Sequence, residues 1–309
     1  KGITALLMHM LQEDGLINVS DPVSFYAPEF ARKGKENITI HQILAHRGGI
    51  PGLPSNVSPE VLWDEDKTWE LLCNAEPIMT DGSKLAYHAI TGGFVLERVI
   101  RKVTGADINS YIDKKIRQPM GMKYFTYGIE AEHLDKLATT YATGPRPGLL
   151  LGAFLKRALG ANITKLESIC NDPRFQDAII PAGNLAGTAD EVSSFFQMML
   201  NGGTLDGVRV LDSVTVATFT RMQDSTISRR ALGWETPTGG NSAGGRLSPV
   251  AFGHTGFTGT SLWMDPAQGL FVLLLTNRVN PTRENRKIAG VRTALADAAV
   301  GALRGDAGR

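Results

Sequence analysis

Three short pieces of the sequence gather side chains that can move protons. The first is Lys1-Gly-Ile-Thr-Ala-Leu-Leu7, the second Leu85-Ala-Tyr-His-Ala-Ile-Thr-Gly-Gly-Phe94. The third is Phe252-Gly-His-Thr-Gly-Phe-Thr-Gly-Thr-Ser-Leu-Trp-Met-Asp-Pro266. An amine, a phenol and an imidazole are all groups that enzymes use for general acid–base work. Other chemistries are poorly served. His41 and His46 do not make the His-Glu-x-x-His pattern of a zinc-binding helix. Cys73 and Cys170 are far apart and without metal-ligand spacing, and they read as two free buried thiols in preference to one disulfide. Gly239-Gly240 and Gly244-Gly245 lack the Lys-Ser/Thr and the strand-to-helix setting of a phosphate-cradling loop. No cofactor and no metal is expected.

Two more pieces lie between these three: His41-Gln-Ile-Leu-Ala-His-Arg-Gly-Gly-Ile-Pro51 and Pro181-Ala-Gly-Asn-Leu-Ala-Gly-Thr-Ala-Asp190. Each alone is weak. In this order, over nearly the whole chain, the five resemble the class C β-lactamase-related serine hydrolases. That family also holds D-Ala-D-Ala peptidases, family VIII carboxylesterases and transesterases.

The resemblance implies roles. The family acylates a serine at the start of a helix, and a lysine three residues on lies one turn later on the same face. Lys1 stands in the place of that lysine, so the serine would precede it by three residues and the chain would be truncated at the Lys of Ser-x-x-Lys. A partly desolvated lysine can be neutral enough to act as base. Tyr87 matches the tyrosine of the Tyr-x-Asn motif, which relays the proton. His254-Thr255-Gly256 stands in place of Lys-Thr-Gly on a strand lining the cleft, with Gly256 admitting the substrate backbone. Phe257 would give its N–H to the oxyanion hole, beside the N–H of the serine. Two departures matter. Ala89 replaces the asparagine that supports amide recognition, and His254 replaces a permanent positive charge. Both point to a simpler, neutral ester. The competing readings are a terminal lysine at position 1, a core aromatic at 87 and a structural histidine at 254. The loop Arg47–Pro51 reads as architecture, Trp63, Trp69 and Trp234 as core more than cleft, and Arg229-Arg230 as a solvated pair.

Elements must position these groups. Ile3, Leu6, Leu7, Met10 and Leu11 have helical spacing, and Gly15 sits where a capping glycine would. Short helices are predicted over His41–His46 and Glu60–Asn74. A longer one follows Tyr87 and stops at Gly105, and another runs Asp107–Gln118. Residues 145–175 read as a variable excursion. Thr188 and Glu191 form a capping-box pattern for the next helix. Asp206-Gly207 marks a hairpin, and 236–245 reads as a mobile loop. Phe252–Gly259, Ser261–Met264 and Leu270–Thr276 read as strands, the last two joined by a turn at 265–269. A helix over about 285–303 ends the chain. The order predicts an α+β fold, an antiparallel sheet flanked by helices with an inserted helical region, as the resemblance also implies. One domain is expected over 1–309: helical over about 15–200, sheet and terminal helix over about 205–304. The family's first strands would lie ahead of the serine.

Composition fits a soluble enzyme. The 309 residues carry a net charge of +1, with 42% hydrophobic and 20% charged residues. Near-neutrality argues against nucleic acid as a partner, and no apolar run reaches the ~20 residues of a membrane span. No signal peptide is present, but the chain does not begin with Met. The absence of a cysteine framework and the motif changes point to the cytoplasm. The expected function is a serine hydrolase working through an acyl-enzyme on small carboxylic esters, its partner a small ester or amide. The alternatives are a β-lactamase or D-Ala-D-Ala carboxypeptidase, and a non-catalytic scaffold or binding protein of the same fold.

Overall fold

A computed structural model describes residues 1–50, 52–54, 57–141, 143–145, 148–149, 152, 163–238 and 243–305. The expected excursion at 145–175 and loop at 236–245 fall partly outside the described residues. The chain divides into two compact units. Unit 1 is Lys1–Thr140 with Arg146–Thr188, and unit 2 is Tyr141–Pro145 with Ala189–Arg309.

Unit 1 is mainly helical. Its helices are α1 (Gly2–Glu13), α2 (Val23–Tyr26), α3 (Ile40–Leu44), α4 (Glu65–Asn74), α5 (Thr91–Thr104), α6 (Ile108–Ile112), α7 (Ile163–Cys170) and α8 (Pro173–Asp177). Strands β1 (Thr126–Tyr127) and β2 (Leu185–Ala186) pair antiparallel. The spacing of apolar residues predicts one buried face for α1, yet every residue from Gly2 to Met10, and Leu11, is buried, Thr4 and His9 included. Thr4 Oγ1 makes this tolerable by bonding Tyr127 Oη at 2.6 Å and the Pro181 carbonyl. The predicted helix at 60–74 is two pieces. A 3₁₀ turn at Pro59–Trp63 ends at Asp64, whose side chain accepts Lys67 N–H at 3.0 Å and caps α4. The predicted Asp107–Gln118 helix likewise changes pitch, widening to a π-turn over Asp113–Arg117.

Unit 2 holds α9 (Ala189–Leu200), the hairpin β3 (Thr204–Leu205) and β4 (Val208–Arg209), and α10 (Ser213–Thr220). Strands β5 (Phe252–Thr255), β6 (Ser261–Asp265) and β7 (Leu270–Leu274) and helix α11 (Ile288–Leu303) follow. β5, β6 and β7 form an antiparallel sheet in that order, with His254 opposite Leu262 and Thr255 opposite Ser261. Trp263 packs in a cluster with Leu247, Ala251, Ala296 and Val300. The architecture is α+β, with antiparallel pairing throughout the described strands. No helix among the described residues is long and apolar enough to cross a membrane.

Candidate active site

Lys1 precedes the first turn of α1 and is half-buried. Its Nζ donates to the Ala182 carbonyl at 3.1 Å and lies 5.8 Å from the centroid of the Tyr87 ring. Ala182 sits in a turn built by Asn184. The Asn184 amide donates to the carbonyls of Phe175 and Ala178 at 2.9 and 2.7 Å, and its oxygen accepts Ile180 N–H at 3.1 Å. Gly93 of α5 lets this turn approach. A Cβ at position 93 would stand 2.8 Å from Ala182 N and 2.9 Å from Pro181 C, closer than packed atoms allow. The second glycine of the pair after Tyr87 is thus a packing requirement of the lysine's acceptor.

Tyr87 also packs against His46. The two rings lie 4.6 Å apart at 54°. His46 adopts φ 57°, which is rare for a non-glycine residue. Its carbonyl accepts Ala86 N–H at 2.7 Å and its Nδ1 accepts His88 N–H at 3.2 Å. His88 in turn accepts Ile50 N–H at Nε2, 3.2 Å, and Thr91 Oγ1 donates to Ile50 O at 2.6 Å. The segments 46–50 and 86–91 are therefore laced together around the phenol. Burial pulls the His88 imidazole down to about 4, so it is neutral, and its bond from Ile50 places the proton on Nδ1. Ala89 brings no polar side chain to this group. A cavity of about 580 Å³ runs along the loop leading into Tyr87, lined by Ile78, Met79 and Leu85 with Asp81, Ser83 and Lys84.

The other predicted residues belong to unit 2. His254 Nδ1 lies 2.8 Å from Thr255 O, and its Nε2 lies 3.9 Å from Glu235 Oε1. Glu235 pairs with Arg230 at 2.8 Å and bonds Gly253 in both directions across the backbone, at 2.7 and 2.9 Å. Arg230 is therefore half-buried and engaged; the reading of Arg229-Arg230 as a solvated pair holds only for Arg229. Gly256 is required by its neighbour, since an added Cβ would stand 2.2 Å from Thr260 Oγ1. Phe257 is half-buried, its carbonyl accepts Arg278 Nε at 3.0 Å, and the Arg278 guanidinium lies 5.3 Å from its ring centroid. Arg292 of α11 donates to the carbonyls of Gly256, Gly259 and Thr260 at 2.9, 3.2 and 2.8 Å. Burial, with Arg278 close by, holds the Arg292 guanidinium below the usual arginine range.

So the structure brings Lys1 and Tyr87 together in unit 1, and His254, Thr255, Gly256 and Phe257 on one strand and turn in unit 2. Sequence reasoning missed the Ala182 carbonyl, His46, Glu235, Arg278 and Arg292. Among the described residues the cluster suited to a metal is Glu130, Glu132 and His133. Lys136 Nζ already lies 3.4 Å from His133 Nδ1, placing a cation at that ring. Cys73 and Cys170 are free thiols, both pushed up to about 11 by burial.

Comparison with known proteins gives the family and the fold. The β-lactamase family model matches residues 1–296. The esterase/β-lactamase LipL of Mycobacterium tuberculosis is 28% identical over 90% of this chain and 68% of its own length. A family VIII carboxylesterase of known structure is 26% identical, with a TM-score of 0.78 over 96% of this chain and 80% of that one. A penicillin-binding protein homolog from Caulobacter crescentus shares the fold at 23% identity, with a TM-score of 0.79 over 96% and 81% of the two chains. The chain belongs to the β-lactamase family of serine hydrolases.

Proposed function

We propose that this protein is an acyl-enzyme hydrolase of small, neutral carboxylic esters. The observation that carries the reading is the placement of Lys1 Nζ between a fixed acceptor, the Ala182 carbonyl, and the Tyr87 ring. In the family pattern the serine to be acylated stands three residues ahead of this lysine. As its Oγ attacks the ester carbonyl, Lys1 and Tyr87 take the hydroxyl proton, and Tyr87 returns it to the leaving alkoxide. The Phe257 N–H and the serine's own N–H receive the oxyanion. Water then attacks the acyl carbonyl, gives its proton to the same pair, and the serine oxygen recovers one as the carboxylic acid leaves.

Three features support the neutral ester. Ala89 offers no amide to a peptide-like substrate. His254 carries no permanent charge, and the cation beside it, Arg230, is already paired with Glu235, so no free positive charge awaits a substrate carboxylate there. The cavity lined by the 78–85 loop, which leads into Tyr87, has one acid and one lysine among its lining residues, with no concentration of positive charge. The β-lactamase or D-Ala-D-Ala carboxypeptidase reading is kept in view by the similarity to LipL, which is named an esterase and β-lactamase.

The test uses full-length protein carrying a serine three residues ahead of Lys1, mixed with p-nitrophenyl acetate or butyrate. A burst followed by turnover, with the protein heavier by one acyl group, is expected. Neither burst nor turnover overturns the reading. Covalent labelling by a fluorescent penicillin without ester turnover favours the second reading. A residue other than serine at the upstream position favours a scaffold.

A further inference from the structure

We propose that Arg292 is a positioning residue that aims the Phe257 N–H at the oxyanion; this rests on the role given to Phe257 above. The Gly256–Phe257 peptide is held at one end only. Its carbonyl, Gly256 O, accepts Arg292 Nη2 at 2.9 Å and Gly259 N–H at 3.1 Å. Its N–H meets no acceptor among the described residues. A peptide group is planar and trans, so its C=O and N–H point in opposite directions. Whatever fixes the carbonyl therefore fixes where the N–H points. Rotation of this one peptide would present a carbonyl oxygen where a donor is needed.

Arg292 is built for that single task. It is 9% exposed and lies on α11 with Ala296 and Val300, one and two turns on, on the buried face. Its side-chain hydrogen bonds all go to carbonyls of the β5–β6 turn: Gly256, Gly259 and Thr260. It forms no ion pair among the described residues. A buried cation is costly unless its donors are used, and here the planar fork of the guanidinium matches several carbonyls at once. Arg278 adds a second guanidinium, with Nε on Phe257 O at 3.0 Å. The carbonyl before the Phe257 amide and the one after it are thus each tied to a cation. A carbonyl bonded to a cation polarises its peptide, which strengthens the N–H as a donor. Fixed positive charge behind a fixed donor is the arrangement that stabilises an anion forming only in the transition state.

The test compares the full-length protein with Arg292→Lys, which keeps the charge but not the fork, and Arg292→Met, which keeps bulk without charge. On p-nitrophenyl butyrate, kcat of Arg292→Met is expected to fall about 100-fold, the scale of one oxyanion donor. KM should change less than about threefold. Arg292→Lys should fall in between. Affinity for a boronic acid, whose tetrahedral adduct puts an oxygen in the oxyanion position, should fall in step with kcat. A kcat within about threefold of the parent in both variants overturns the proposal. So does a loss carried by KM alone. Amide hydrogen exchange over residues 256–260 reads the clamp without any substrate: protection in the parent that Arg292→Lys loses is expected. A turn that exchanges equally in both proteins, or is unprotected in the parent, overturns the clamp even if Arg292→Met fails to fold. A parent with its serine and a protected turn but no ester turnover sinks the functional reading and leaves the clamp standing.

Discussion

Tyr87 makes its packing contacts through its ring and its proposed chemistry through one oxygen. The ring lies against His46 and near Lys1 Nζ, and a phenylalanine would keep both. Tyr87→Phe should therefore lower kcat on p-nitrophenyl butyrate by at least about 100-fold, the lower range for a positioned proton carrier. KM and the thermal midpoint should hardly change. A variant as active as the parent would remove Tyr87 from the chemistry. Motif order made Tyr87 visible in the sequence, as it did His254 and Phe257. His46 was harder to see, because its contribution is a left-handed backbone and a ring–ring contact with a residue 41 positions later. Arg292 did leave a trace: it sits four and eight residues before Ala296 and Val300 in an alanine-rich helix, so a charged residue falls on the apolar face. Spacing alone could not say what it bonds.

The contact between α5 and the 180–184 turn shows how an element sets the site. Gly93 is a poor helix residue by propensity, and it is retained where a Cβ would overlap Ala182 and Pro181 backbone. Gly93→Ala should push that turn away, moving the Ala182 carbonyl from Lys1 Nζ. Overpacking of this kind typically costs ~1–3 kcal/mol. We expect a matching drop in the denaturant midpoint together with a fall in ester turnover larger than any change in KM. Unchanged stability and turnover would show that the turn yields freely. Periodicity located α1 and α5 well, because each has a long apolar pattern; the expected strand Phe252–Gly259 instead ends at Thr255, where the turn over 256–260 begins. Periodicity joined 60–74 into one helix, because Asp64 caps α4 from within a run that otherwise looks continuous. It gave α1 one buried face, whereas Thr4 and His9 are buried as well, Thr4 satisfied by partners far along the chain.

For the molecule as a whole, buried titratable groups set how stability follows pH. His9 and His88 lie in unit 1 and are both pulled down to about 4, His9 by burial and then by His41, His88 by burial. Their unfolded values are near 6.5. Between about 6.5 and 4 the unfolded chain binds protons that the folded one refuses, so stability is complete above 6.5 and falls as pH drops. Each histidine contributes up to about 1.4 kcal/mol per pH unit across that window. Glu97 works the other way. It is 1% exposed, and burial, then Glu65, holds its carboxyl well above the usual carboxylate range despite Arg101 at 3.0 Å. The folded state keeps its proton, so its contribution is lost as pH rises above the ordinary glutamate range. In unit 2, burial raises Asp265, but bonds from Ser248 and Gln268 outweigh it and leave the carboxyl below its usual value. Its stabilisation is lost only in stronger acid, below the histidine window. In Glu97→Gln, where the opposing carboxyl is gone, calorimetry should therefore show a midpoint that falls from pH 7 to pH 5. Adding His88→Gln to that background, with its amide oxygen able to accept the Ile50 N–H, should make the fall shallower by about half, since one of two such histidines is gone. Glu97→Gln should raise the midpoint more at pH 7.5 than at pH 5, because at the higher pH the folded parent holds a proton that the unfolded chain gives up. A midpoint flat from pH 7 to 5 in Glu97→Gln, or a Glu97→Gln gain larger at pH 5, would mean that these groups reach solvent in the folded protein.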